Sequence, residues 1–210
     1  MPRVSVAAAI AEVAGRDPVM AALVERVGPV RLTATRRSED GYFAELAESI
    51  AYQQLAGKAA AAIWARFRAL VEGDLTPEAV LALPEPAMRS AGLSGAKAAS
   101  IRDLAAKVAD GTVPLGDIHR LSDDDIVDRL VAVRGIGRWT AEMFLIFTLR
   151  RLDVWPVDDY GVRKGWTVAY GLAALPTPKE LMAFGERFRP YRTIAALYCW
   201  RAVDTALPGT

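Results

Sequence analysis

Two short stretches hold residue types that could do chemistry. Arg134-Gly135-Ile136-Gly137 is a glycine-punctuated turn between two helical patterns, and Asp158-Asp159 is a pair of carboxylates just ahead of a third. Glycines in such a turn suit positive φ and close approach of the backbone. The helix after the turn begins with N–H groups that lack intrahelical partners, at the positive end of its dipole. Together these make an anion cradle, for which a phosphate diester is the natural guest. The plainer reading is an αα-hairpin closed by a glycine turn. The carboxylates also have two readings. They can cap the helix that begins near Tyr160, or they can place negative charge against a cationic transition state and orient water.

The elements that must position these residues are helical. An alanine-rich helix is predicted over residues 4–14. Asp17 as N-cap, Pro18 at the first helical position and Gly28 as stop frame another over 17–27. Residues 29–40 read as irregular, with a brief alternation through Val30 and Leu32. Phe43, Leu46, Ala47 and Ile50 have helical spacing. A helix from Gly57 to Val71 would turn Ala59, Ile63, Phe67 and Leu70 to one face. Thr76-Pro77 opens a helix ending near Pro84, and residues 86–92 form a short one. Ser94 caps a helix that carries Ala98, Ile101, Leu104 and Val108 to Gly111. Ser122 with Asp125 opens the first helix of the hairpin motif, which spans about residues 122–150. Asp123, Asp124 and Asp125 favour its N-terminal dipole, which explains the acidic run structurally. Thr177-Pro178-Lys179-Glu180 is a capping box, and the last helix runs from Tyr191 to Ala206. No segment reads as a central strand, so the predicted fold class is all-α.

Composition bounds the function. The 210 residues, 52% hydrophobic, are enough for one large domain or two small lobes. No apolar run is long enough for a bilayer, and Glu12 comes too early for a signal peptide. One cysteine, Cys199, and one histidine, His119, exclude a disulfide framework and a zinc site of Cys and His ligands. A net charge of +1 does not announce nucleic acid. Distribution says more. Arg134, Arg138, Arg163 and Lys164 flank the hairpin and the aspartate loop, and Arg187, Arg189, Arg192 and Arg201 cluster near the carboxyl end. They form either a local basic rim or ordinary solvated surface.

Four stretches share an order. They are Tyr52-Gln53-Gln54-Leu55-Ala56-Gly57-Lys58-Ala59-Ala60, Val133 through Ala141, Pro156-Val157-Asp158-Asp159-Tyr160, and Arg189-Pro190-Tyr191-Arg192 running on to Trp200. Together they resemble the helix-hairpin-helix (HhH-GPD) DNA glycosylase superfamily, and within it the AlkA-type 3-methyladenine glycosylases. The resemblance covers about residues 17–205. It implies one HhH-GPD domain over 1–210, two-lobed, with the active-site cleft between the lobes. AlkA-type proteins often carry a β-rich amino-terminal domain for which this chain has no room.

The resemblance also implies roles. The activity would be hydrolytic release of alkylated bases from double-stranded DNA in base excision repair. Asp159 would be the catalytic carboxylate, with Asp158 a helix cap or loop brace. Trp139, Tyr160 and Trp200 match positions of the pocket for a flipped base, and Met143 stands where a relative has another aromatic. By helical spacing alone, both tryptophans could be core, and Trp64, Trp155 and Trp166 read as core or rim. Gln54 and Leu55 are rival wedges for the gap left in the duplex, although Leu55 could equally be tucked into the core. Backbone N–H groups of Arg134-Gly135-Ile136-Gly137, with Arg138, Arg163 and Lys164, would hold the DNA backbone. The carbonyls of Val131, Val133 and Ile136 would coordinate a Na+ or K+ ion. No other cofactor is expected, and the four-cysteine iron–sulfur cluster of some relatives cannot form. Bifunctional relatives have lysine where this chain has Trp139, so a monofunctional hydrolase is expected. The expected protein is a monomer with no membrane partner, cytoplasmic and nucleoid-associated in a bacterium or nuclear in a eukaryote. The main alternative from another class is a non-catalytic helix-hairpin-helix DNA-binding protein.

Overall fold

Serine, threonine and aspartate side chains set where the helices begin. In this computed structural model, which describes residues 4–32 and 39–206, two helices open the chain: α1 (Val6–Arg16) and α2 (Pro18–Val27). Ser5 accepts from the Ala8 N–H, and Asp17 Oδ1 accepts from the Val19 and Met20 N–H groups at 2.9 and 3.1 Å. Each such cap contributes about 1 kcal/mol. Gly28, at φ 76°, ends α2 as its sequence predicts. Residues 29–32 form neither helix nor strand. The rest of the irregular stretch lies outside the described residues up to 38, and the next helix has begun by 39.

That helix is α3 (Glu39–Tyr52). It is followed by α4 (Gly57–Arg68), α5 (Pro77–Ala82), α6 (Glu85–Ser90), α7 (Gly95–Ala109), α8 (Asp123–Val131) and α9 (Arg138–Met143). A five-residue π-helix, Phe144–Thr148, continues directly from α9. The chain ends with α10 (Tyr160–Tyr170), α11 (Pro178–Gly185) and α12 (Arg192–Ala206). There is no strand among the described residues, and the all-α prediction holds. None of their helices is long and apolar enough to cross a membrane.

The helices fall into two compact units. One comprises Met1–Ala34 and Leu145–Thr210, and the other Thr35–Phe144. The first is built around Trp166 of α10, which stacks on Tyr170 and Phe184 with ring centroids 4.0 and 5.5 Å away. Helices α10 and α12 cross so closely that a Cβ on Gly165 would lie 1.8 Å from the Cys199 carbonyl oxygen. Trp155 and Trp166 are core, as one reading of the sequence allowed. The second unit buries Phe43, Leu46 and Ile50 of α3 and Ile101 and Leu104 of α7. Each large apolar side chain removed from water contributes about 1.5–3 kcal/mol.

Two predicted elements differ. Helix α4 stops at Arg68 and buries Ala60 and Phe67, leaving Ala59 and Leu70 exposed. Phe67, the largest apolar side chain of that stripe, sets the helix phase, which turns Ala59 outward. The second hairpin helix was expected to reach about residue 150 but is α-helical only to Met143. The run Met143-Phe144-Leu145-Ile146-Phe147 is apolar on every side and has no single 3.6-residue stripe to read. Through the π turn, Phe144, Leu145 and Ile146 are buried and Phe147 is exposed.

Candidate functional site

The hairpin is built from α8 outward. The Ser122 hydroxyl accepts from the Asp125 N–H at 3.1 Å and donates to Asp125 Oδ2 at 2.6 Å, and three aspartates occupy the first turn. After Val131, the buried side chains of Val133 and Ile136 pin the turn, while Arg134, Gly135, Gly137 and Arg138 stay exposed. Gly135 has φ 79°, and a Cβ there would lie 2.6 Å from Ser100 Oγ, so this position needs glycine on both counts. Gly137 does not adopt positive φ. At φ −92° it is the N-cap of α9, and a Cβ on it would meet open space. No side chain caps α9.

Helix α7 braces the turn from below. The Arg134 N–H donates to Asp103 Oδ2 at 2.7 Å, and Lys107 Nζ sits 2.6 Å from Asp103 Oδ1. Burial pushes the Asp103 carboxyl up, but the Lys107 hydrogen bond and the Arg134 N–H outweigh it and hold the group below the usual carboxylate range. Gln53 Nε2 donates to the Gly135 carbonyl at 2.9 Å, so the loop between α3 and α4 is tied to the hairpin. In that loop Gln54 is exposed at φ 57°, and Leu55 is 40% exposed rather than tucked into the core. Both rival wedges are therefore available to a partner.

The Val133 carbonyl accepts the Ile136 N–H at 3.1 Å and keeps a second lone pair. With Val131 and Ile136 it offers neutral oxygen donors only, which fits an alkali cation rather than a transition metal. Among the described residues no cluster of three His, Cys, Asp or Glu exists that could hold a metal.

The aspartate loop belongs to the other unit. Asp159, not Asp158, is the N-cap of α10. Its Oδ1 accepts the Val162 N–H at 2.7 Å and the Trp200 indole N–H at 2.8 Å. Asp158 is exposed, and its predicted role as cap is thereby corrected: the helix begins at Tyr160, which puts Asp159 in the capping register. Trp200 is half-buried, with its ring stacked on Phe147 at 5.7 Å. Gly161 makes this packing feasible, because a Cβ there would lie 2.7 Å from Trp200 Cδ1 and 3.0 Å from Asp159 Oδ1. Phe147, Leu197 and Trp200 also line an apolar pocket together with Val27, Pro29 and Val30, and Arg31 and Arg201 border it.

The other predicted site residues divide. Trp139 and Tyr160 are 50% and 65% exposed, so neither is core, and Met143 is half-buried. Arg138 is exposed, but its Nε is 3.0 Å from the buried Glu142 carboxylate. Arg163 spends its Nε on the Pro176 carbonyl at 2.9 Å, and Lys164 is half-buried. The carboxyl-terminal arginines are not an uncommitted basic rim. Arg187 pairs with Asp17, Arg189 with Asp153 and Glu186, and the buried Arg192 with Asp153. The sequence reading missed Phe147, Gly161, Ser100 and Asp103, and it placed Gln53 in a motif without its bond to the hairpin. A glycine immediately after the capping register was the one signal that could have pointed to Gly161.

Comparison with known proteins shows the family. Residues 47–190 match the family described as HhH-GPD superfamily base excision DNA repair protein. The chain is 36% identical over 195 residues to DNA-3-methyladenine glycosylase 1 of Schizosaccharomyces pombe, covering 91% of this chain and 85% of that protein. A 3-methyladenine DNA glycosylase of Schizosaccharomyces pombe, solved in complex with abasic DNA, superposes with a TM-score of 0.77 at 36% identity over 92% of this chain and 95% of that one. A DNA-3-methyladenine glycosidase from Bacillus halodurans superposes with a TM-score of 0.85 at 35% identity over 94% and 90%.

Proposed function

The chain belongs to the HhH-GPD superfamily of base excision DNA repair proteins, and from that membership we propose that it is a monofunctional DNA glycosylase. It hydrolyses the N-glycosidic bond of alkylated bases of the 3-methyladenine and 7-methylguanine type in double-stranded DNA and leaves an abasic site. The observation that carries this reading is the 2.8 Å hydrogen bond from the Trp200 indole to the Asp159 carboxylate, which joins an aromatic plane to an acid within one compact unit. The carboxylate serves the bond cleavage and the aromatic plane serves the base that leaves. Charge builds on the deoxyribose as an oxocarbenium-like cation, and a fixed carboxylate stabilises it and orients the attacking water. The departing base is cationic and flipped out of the stack. Aromatic faces such as those of Trp200 and Tyr160 attract it by roughly 0.5–2 kcal/mol per favourable contact, and the family resemblance adds Trp139 and Met143 to the residues that would receive the base. Such a base leaves neutral, so no strong general acid is required.

The hairpin takes the DNA backbone through its N–H groups, aided by Arg134 and Arg138 and by a Na+ or K+ ion on the Val131, Val133 and Ile136 carbonyls. Gln54 or Leu55 fills the gap left by the flipped nucleotide. The protein acts as a monomer. Trp139 offers no amine for a Schiff base, so no lyase step follows.

Incubation with methylated duplex DNA, followed by mass spectrometry of the released bases, tests the reading. Free 3-methyladenine or 7-methylguanine is expected, with an abasic strand that borohydride does not cross-link to the protein. DNA binding without release of any base would make the chain a binding module instead.

A further inference from the structure

We propose that Lys97 is a positioning residue that fastens the DNA-inserting loop to the hairpin, so that both move as one platform. The inference rests on the glycosylase reading above. Lys97 lies in the first turn of α7, a helix that the sequence marks only as a buried scaffold. Its Nζ is 2.7 Å from the Ala51 carbonyl and 2.7 Å from the Gln53 carbonyl. Those carbonyls stand where α3 ends, at the negative end of its dipole, among groups that have no partner within their own helix. A cation is the natural cap there.

The link continues through Gln53. Its main chain is held by Lys97 and its side-chain amide donates to the Gly135 carbonyl at 2.9 Å. Ser100, three residues after Lys97, lies under Gly135, where even a Cβ would come within 2.6 Å of its hydroxyl oxygen. Asp103, three residues further on, takes the Arg134 N–H. Residues three and four apart share a face of a helix. One face of α7 therefore carries the loop with Lys97 and the hairpin with Ser100 and Asp103. Gln54 and Leu55, the rival wedges, follow directly on the residue that Lys97 grips. Burial lowers the Lys97 pKa from the usual lysine value.

A wedge on a fixed platform has little conformational freedom left to lose when it enters the duplex. The benefit is largest where the target base is stacked and paired, and smallest where a mismatch already loosens it. Lys97→Met keeps the aliphatic length and removes the cap. Single-turnover release from a paired alkylated duplex is expected to fall about tenfold, the size of a hydrogen bond to a charged group. Release of the same lesion opposite a mismatch should change far less. Amide hydrogen exchange should quicken both at residues 52–56 and at 133–137, and the salt dependence of binding should not change. Adding Leu55→Ala should cost less in the Lys97→Met background than in the wild type. Equal loss on both duplexes, or unchanged exchange in either segment, would overturn the inference. So would a salt slope smaller by about one, which would make Lys97 a phosphate contact. If Lys97→Met does not fold, Gln53→Leu removes only the link to Gly135 and must quicken exchange at 133–137. A wild-type protein that frees no base refutes the glycosylase reading, while the exchange measurement still decides whether the two segments are fastened.

Discussion

At the hairpin the protein presents its main chain, and side chains brace it. Asp103 takes the Arg134 N–H, Gln53 donates to the Gly135 carbonyl, and Ser100 packs beneath Gly135. At the aspartate loop the roles are exchanged. The Asp159 side chain is presented, and the Val162 main-chain N–H and the Trp200 ring brace it. The two regions lie in different compact units of the fold. A side chain can be edited directly, so changes at the aspartate loop should be read in the rate of base release. A main-chain group can be reached only through its supports, so changes at the hairpin should be read in binding.

The largest effect tests the first half of that contrast. Asp159→Asn keeps an amide oxygen that can accept from the Val162 N–H and the Trp200 indole, so the cap survives. The charge is lost, and the second carboxylate oxygen becomes an NH2 donor. Single-turnover base release is expected to fall by about 100-fold or more, with affinity for lesion DNA and melting temperature close to wild type. Asp159→Ala should lose the rate and also about 1 kcal/mol of stability, because the cap goes with it. Asp158→Asn, at an exposed position outside the capping register, should keep both. Loss of release in Asp158→Asn with normal rates in Asp159→Asn would reverse the assignment of the catalytic carboxylate.

Two glycines, one in each region, sharpen the contrast. Gly161→Ala puts a methyl 2.7 Å from Trp200 Cδ1 and forces the indole away from Asp159. Release should slow by roughly 10- to 100-fold, since removal of a hydrogen bond to a charged group costs about 1.5–3 kcal/mol, while binding holds. Gly135→Ala meets Ser100 and also forces a left-handed backbone onto an L residue, at a cost of about 1–2 kcal/mol. Here affinity should weaken several-fold and the release rate at saturating protein should hold. Adding Ser100→Gly should recover part of that affinity, because it relieves the clash but not the backbone strain. If Gly161→Ala weakens binding and Gly135→Ala slows release, the division between the regions is wrong.

Much of the frame was legible because its signals are local. The Asp17-Pro18 start, the Thr177–Glu180 capping box and the buried stripe Ala98, Ile101, Leu104 and Val108 each lie within a few helical turns of sequence. The supports of the site are not local. Asp103 is 31 residues from the N–H it accepts, Lys97 is 44 and 46 residues from its carbonyls, and Trp200 is 41 from Asp159. Their meaning exists only once the helices have packed. Gly165 and Gly161 look alike in sequence, but one lets α12 approach and the other makes room for an indole. The resemblance chose Asp159 as the catalytic carboxylate, but which of Asp158 and Asp159 caps the helix depends on the helix register, which one residue decides. Phe147 was hidden by the π turn, which breaks the spacing that would have marked it.

The smallest expected effect concerns charge, and it separates two arginines that look equivalent in sequence. Arg134 and Arg138 flank the glycine turn and both side chains are exposed. Arg138 Nε lies 3.0 Å from the buried Glu142 carboxylate, so much of its charge is answered within the protein. Arg134 contributes its N–H to Asp103, and among the described residues no carboxylate lies within ion-pair distance of its guanidinium. Binding to duplex DNA should weaken as salt rises even at a net charge of +1, because counterion release depends on the phosphates contacted and not on total charge. Arg134→Ala should lower the slope of log affinity against log salt by about one. Arg138→Ala should lower it less and should cost stability instead, since the buried Glu142 loses this partner. Asp159→Asn, in the other unit, should leave the slope unchanged. Salt titrations of these variants alongside their melting curves read out all three. Equal slope losses for Arg134→Ala and Arg138→Ala, with melting unaltered in both, would show that the Glu142 pair does not hold Arg138 back from the phosphates.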